Sequence, residues 1–414
     1  MQLRTLGALA LVLTFAVATP AAAQKPLPRK RPPAQTAPAQ PAAQNAPPTP
    51  SGPVSVATAS PEPGQARVQI ALLLDTSNSM DGLIGQAKTE LWRIVNEIAA
   101  YERGGNAPFV EVALYEYGKQ SLPVTTGYVR QIVALTTDLD SISEALFALQ
   151  TNGGDEFCGL AIERAGKELA WSRNPDDYKA IFIAGNEPFD QGRTPWREAV
   201  LGAKKAGIVV NTIHCGNARE GIATHWQAGA ALGLGSFMAI DQEAAQVHIA
   251  TPYDAEIAAL GEKLNDTYVG YGRSGKGAAM KARQAKQDSN SKDAGGSASV
   301  ERASAKGKAM YNNEEWDLVD AQKKKKVAVE KLTVDELPAE MKALPPAERQ
   351  AYVDKKAKER EVIQAKIGEL DRKRRVFLEA ERKKSAVQDK DTFDAAMRRS
   401  LKVQMSQKKF MPKP

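Results

Sequence analysis

The clearest hydrophobic patterning in this chain of 414 residues lies between positions 67 and 272. Arg67–Asp75, Lys179–Ala184 and Ile208–His214 are short runs dominated by apolar side chains. Runs apolar on both alternating faces predict strands buried between layers of helices, as in a parallel sheet. Phe109–Tyr117 and Tyr128–Thr136 read as further strands, the second at the sheet edge, and Phe237–Ile240 as a short last one. Between them, helical spacing marks Asp81–Tyr101, Leu139–Leu149, Glu156–Trp171, Trp196–Ala206 and Tyr253–Asn265. Strands alternating with helices predict an α/β fold: a doubly wound, mostly parallel sheet with right-handed crossovers. About 200 residues suffice for one such core.

The flanking regions differ in kind. Residues 1–23 carry a basic start, an apolar stretch from Leu6 to Ala18 and a small-residue end at Ala21-Ala22-Ala23. That pattern predicts a cleaved signal peptide, and hence a periplasmic or secreted protein. No other stretch is apolar for long enough to cross a bilayer. Residues 24–66, rich in Pro, Ala and Gln, predict a disordered linker. The net charge of +7 conceals an asymmetry: residues 67–272 carry about −10 and residues 273–414 about +13. Residues 273–300 are rich in Gly, Ser, Lys, Ala and Gln and predict a flexible linker; residues 301–414 predict a basic α-helical region. Its longest helix should begin near Ala347, with Ile363, Ile367, Leu370 and Phe377 on one stripe suited to a helical hairpin or coiled coil. Phe393, Met397 and Leu401 would close the hairpin.

Candidate chemistry begins where the first strand ends. Asp75-Thr76-Ser77-Asn78-Ser79 follows it directly, and the carboxyl edge of an open α/β sheet is where ligands bind. One carboxylate and two hydroxyls on one loop are hard oxygen donors suited to Mg²⁺, Mn²⁺ or Ca²⁺. This Asp-x-Ser-x-Ser loop, in this context, resembles the metal-ion-dependent adhesion site (MIDAS) of von Willebrand factor A (VWA) domains. The resemblance implies a second loop with a Thr ligand, and Asp155 of Thr151-Asn152-Gly153-Gly154-Asp155 stands at that place, with Thr151 as the near alternative. It implies a third loop ending in Thr-Asp-Gly, but Ala184-Gly185-Asn186-Glu187 puts Gly185 where the Asp belongs. Glu187 and Asn186 are the compensating candidates. The ligand set expected from the resemblance is therefore Asp75, Ser77, Ser79, Asp155 and Glu187. Residues 182–189, 211–216 and 311–317 further resemble an exported bacterial subgroup of the family.

Two cysteines, Cys158 and Cys215, in an exported chain suggest a disulfide. His214 and Cys215 are strand neighbours and should face opposite ways, which argues against a thiol–imidazole pair. The lysine and arginine runs at 323–326 and 372–375 lack the interleaved aromatics of a nucleic-acid surface and read as solvated helix faces or a contact to envelope polyanions. The resulting expectation is a non-enzymatic binding module whose cation is completed by an acidic residue of a protein partner. The alternatives are a metal-free scaffold acting through its basic helices, and a hydrolase.

Overall fold

The computed structural model describes residues 60–241, 248–295, 297–385 and 392–413; the expected signal peptide and most of the Pro-rich linker lie outside these. The first strand, β1 (Arg67–Asp75), is followed by α1 (Asp81–Ala99) and a two-residue strand β2 (Tyr101–Glu102). Then come β3 (Phe109–Tyr117), β4 (Val129–Thr136), α2 (Leu139–Ala148) and α3 (Cys158–Glu168). The sheet continues through β5 (Tyr178–Gly185), α4 (Trp196–Lys205) and β6 (Val209–Cys215). Two short helices, α5 (Ala218–Ala223) and α6 (Trp226–Leu232), lead into β7 (Leu234–Ile240), and α7 (Asp254–Asn265) follows.

The sheet order is β4-β3-β1-β5-β6-β7, with β4 antiparallel at one edge and every other neighbouring pair parallel. The chain winds from β1 to one side through β3 and β4, then returns to the other side at β5. The winding reverses beside β1, so its carboxyl end lies in the crevice that doubly wound sheets use for ligands. Alternation along β1 divides the core. Ile70, Leu72 and Leu74 join the layer formed with α1, whereas Ala71 and Leu73 meet α3, α4 and α6 on the opposite face.

The rest of the chain is built onto the first face. Where a flexible linker was expected at 273–300, α8 (Lys276–Asp293) forms and α9 (Ala298–Lys306) begins. After these come α10 (Leu318–Lys323), α11 (Ala339–Lys342), the 40-residue α12 (Pro346–Ser385) and α13 (Phe393–Gln407). Phe393, Met397, Leu401 and Met405 of α13 are buried in the same cluster as Ile70, Leu72 and Phe182, so α13 completes the helical layer over the sheet. The closing strand β8 (Met411–Pro412) pairs antiparallel with β2. The α12 stripe is likewise consumed within the chain, since Ile367 packs in the sheet-facing core and Leu370 against Ile257, Val300 and Ala303. That burial replaces the coiled-coil expectation.

Opposite charges join the basic and acidic halves. Arg302, almost fully buried, bonds Asp140 of α2 at 2.7 Å, pairs with Asp288 and lies 4.6 Å over the ring of Trp92. Arg374 reaches Asp254 at 2.8 Å and Glu301 at 2.7 Å. Asp317, from the 311–317 motif, accepts from the Val269 amide at 2.7 Å, caps α10 through the Asp320 amide and pairs with Arg360 at 2.6 Å. The basic region thus spends much of its charge inside the molecule.

Candidate functional site

Three loops meet at the carboxyl end of β1. Asp75 is fully buried as the last residue of that strand, and its Oδ1 accepts the Ser77 amide at 2.7 Å. The Ser77 and Ser79 hydroxyls are 3.2 Å apart, and the Asn186 amide nitrogen donates to Ser79 Oγ at 3.1 Å. The second loop is tied to the first by the Asn152 amide donating to the Thr76 carbonyl at 2.9 Å. Asp75, Ser77, Ser79 and Asn186 of the third loop are thus linked by hydrogen bonds.

In the second loop the expected residue is displaced by one. Asp155 is exposed, and Thr151 hydrogen-bonds Asp81. The side chain that turns inward is Glu156, which is buried against Asp75. Burial first, then the contact with Asp75, pushes the Glu156 carboxyl up to about 9. Asp75 is also raised, chiefly by burial, with hydrogen bonds from Glu156 and Ser77 opposing and the Glu187 charge adding. Two buried carboxyls with nothing cationic between them disfavour double ionisation and retain a proton. Glu187 is close enough to be felt by both, and Gln191 holds its carboxylate at 3.0 Å.

The third loop explains the missing Asp. A Cβ on Gly185 would stand 2.4 Å from the Tyr117 hydroxyl and 3.0 Å from Asp75 Oδ2. Tyr117, fully buried and donating to the Ala184 carbonyl at 2.9 Å, occupies the space an Asp side chain would need.

The two cysteines are free, which corrects the disulfide expectation. Cys158 opens α3 and packs on that helix's face of the sheet, 3.7 Å from the Tyr117 hydroxyl. Cys215 ends β6 pointing to the α1 face. The sheet lies between them. His214 points the other way, against the Trp226 ring at 5.7 Å, so the two adjacent side chains do not form a pair.

The donor set can be tested for fit to a divalent cation. Asp75 Oδ2, Glu156 Oε2 and Asn186 Oδ1 are buried acceptors without a hydrogen-bond partner among the described residues. Stranded buried acceptors are costly unless something electropositive meets them. Among the described residues no three His, Cys, Asp or Glu side chains converge as a ready-made chelate. Two carboxylates beside hydroxyls and an amide oxygen suit a hard cation that keeps several waters. The residues fit such a group.

Fold and loop geometry define an α/β protein-interaction domain with its site at the carboxyl end of the central strand. Residues 69–222 match the family model of the von Willebrand factor type A domain, so the chain carries such a domain. Solved structures resemble less than half of the chain. Proximal thread matrix protein 1 from the mussel byssus, with a zinc-occupied MIDAS motif, is 16% identical over 42% of this chain and 42% of its own, with a TM-score of 0.32. The SpRpn10 VWA domain is 18% identical over 42% of this chain and 88% of its own (TM-score 0.32). The pilus adhesin SpaC from Lactobacillus rhamnosus GG is 15% identical over 43% of this chain and 28% of its own (TM-score 0.32). This chain therefore spans less than half of the mussel protein and of the adhesin. No curated protein matches it. Among the described residues no helix is long and apolar enough to cross a membrane.

Proposed function

We propose that this protein is an exported binding module that holds a divalent cation, Mg²⁺, Mn²⁺ or Ca²⁺, at the carboxyl end of β1 and uses it to capture an acidic side chain of a protein partner. Asp75, Ser77 and Ser79 hold the cation. Glu156 takes the place first given to Asp155, and Glu187 acts from the periphery. The observation that carries this reading is the set of stranded acceptors, Asp75 Oδ2, Glu156 Oε2 and Asn186 Oδ1, one from each of the three loops that meet at the end of β1. The bound cation would supply an open coordination position for a partner carboxylate. The chain's own part is to hold the oxygens in place and to release the proton kept between Asp75 and Glu156. Export is supported by the signal-like residues 1–23.

The scaffold alternative, acting through exposed basic helices, has less charge to work with. Lys324 pairs with Glu62 at 2.9 Å and Lys326 with Glu314 at 2.5 Å, besides the buried arginine pairs. Titration of Mg²⁺, Mn²⁺ and Ca²⁺ into the full chain by calorimetry, beside Asp75→Ala, tests the proposal. Saturable binding that Asp75→Ala removes is the expected result; identical isotherms for the two proteins would overturn it.

A further inference from the structure

His214 is 1% exposed, and neither of its ring nitrogens has a hydrogen-bond partner among the described residues. A neutral imidazole carries one donor and one acceptor, and burying both unmet is costly. Glycine backbone closes over the ring. A Cβ on Gly221 of α5 would stand 2.9 Å from its Cδ2, and one on Gly216 would stand 3.0 Å from its Nε2. The Trp226 ring of α6 flanks it at 5.7 Å. The charged and titratable groups on the surrounding elements are Arg219 and Glu220 of α5, His225 with Asp190 3.6 Å from it, and Glu187 of the third loop. Helix α6 and strand β7 carry none. Burial pushes the imidazole below its ordinary value of 6.5, and the Glu220 charge opposes that without reversing it.

Helix α5 is lightly held. Gly221 is its one buried residue, and Ile222 leaves 48% of its surface exposed. His225 joins it to α6 at φ +74°, a backbone that costs energy in a non-glycine residue. Elements with so few buried contacts open at low cost. The same helix pair holds the third loop. The Phe189 amide donates to the Thr224 carbonyl at 3.0 Å, and Trp226 Nε1–H donates to the Glu187 carbonyl at 2.8 Å. The Phe189 and Trp226 rings lie 5.0 Å apart. We propose that His214 is an acid-sensitive latch: its protonation lifts α5 off the ring and, through Trp226 and Phe189, frees the third loop. An imidazolium has two N–H donors and a charge, and the closed structure meets neither. The proton is therefore taken up as α5 opens. The closed state is accordingly most stable above about pH 6.5 and loses ground as pH falls below it. The latch acts with or without a bound cation, so it goes beyond the cation reading and stands or falls separately.

The test uses the cation-free full chain. Amide hydrogen exchange, corrected for the intrinsic rate, should show residues 186–189 and 218–232 opening about tenfold more at pH 5.5 than at pH 7.5 in wild type. In His214→Phe, which keeps a flat ring but takes up no proton, the same segments should not respond. A second readout needs no substitution. In an NMR titration the Cε1–H signal of His214, one of three histidines, and the indole N–H of Trp226 should move with one shared midpoint below 6.5. Equal acid opening in wild type and His214→Phe would overturn the latch. So would a His214 signal that titrates while the Trp226 indole stays still. Opening confined to residues 218–224, with Phe189 and Trp226 unchanged, would also overturn it, because the third loop would then be untouched.

Discussion

Leu401 offers a direct test of whether the carboxyl-terminal helix belongs to the core of the A domain or is a separate appendage. Its side chain is fully buried in the cluster that contains Ile70, Leu72, Phe182 and Ile213 of the sheet. Truncation to Ala removes three carbons from a site bounded by strands on one side and α1 on the other, which limits collapse. The cost should be about 2–5 kcal/mol, the range for such changes in closed cores. Against a total stability of roughly 5–15 kcal/mol this is a large fraction. With a urea slope of roughly 2–3 kcal/mol per M, a loss of about 3 kcal/mol moves the midpoint by about 1 M. Urea unfolding would be followed, in a Trp316→Phe background, by tryptophan fluorescence, which then reports Trp92, Trp171, Trp196 and Trp226 within the A domain, and by far-ultraviolet circular dichroism. Both probes should give one shared transition, shifted together in Leu401→Ala. An unmoved fluorescence transition beside a separate early loss of helix signal would refute the single core.

Two further perturbations address the site. Glu156 is held at about 9 in the folded chain, mainly by burial and by Asp75, against an ordinary value of 4.5. Its raised value contributes stability fully present below about pH 4.5 and lost as pH rises through about 9. Cation-free wild type should therefore melt at falling temperature from pH 5 to 9, more steeply than Glu156→Gln; parallel slopes in differential scanning calorimetry would remove the raised carboxyl from the account. Gly185→Ala places a methyl 2.4 Å from the Tyr117 hydroxyl and should cost about 1–3 kcal/mol of overpacking. Adding Tyr117→Phe should recover part of that in urea melts, and no recovery would locate the clash elsewhere.

Much of the fold is legible from hydrophobic spacing. Arg67–Asp75 and Phe109–Tyr117 are strands over the expected residues, because runs buried on both faces carry a strong signal. The region after residue 272 is harder to read for a physical reason. Helix α8 has few apolar side chains, and its inward face is polar: Gln284 donates to the Tyr311 hydroxyl at 3.1 Å, and Gln287 accepts from Ser143 at 3.0 Å. Burial secured by amide hydrogen bonds leaves no trace in hydrophobic periodicity, so composition alone suggested a flexible linker. In α13 the apolar stripe is plain in the sequence, but a stripe does not say which surface it covers. At the site, Asp75, Ser77 and Ser79 could be read from motif and context. Asp155 and Glu156 are adjacent acids in a loop, and whichever turns inward depends on backbone path, not on residue type. The packing of Phe157 against Gly192 and Tyr128 decides that path, and it is not visible before the fold is known.

The most direct measurement is calorimetric titration of Mg²⁺ into three full-length proteins: wild type, Glu156→Ala and Asp155→Ala. A cation held by Asp75, the two serines and Glu156 predicts saturable binding to wild type and to Asp155→Ala, and at least a tenfold weakening (about 1.4 kcal/mol) in Glu156→Ala. Equal binding by Glu156→Ala and wild type, or loss of binding confined to Asp155→Ala, would contradict the site described here.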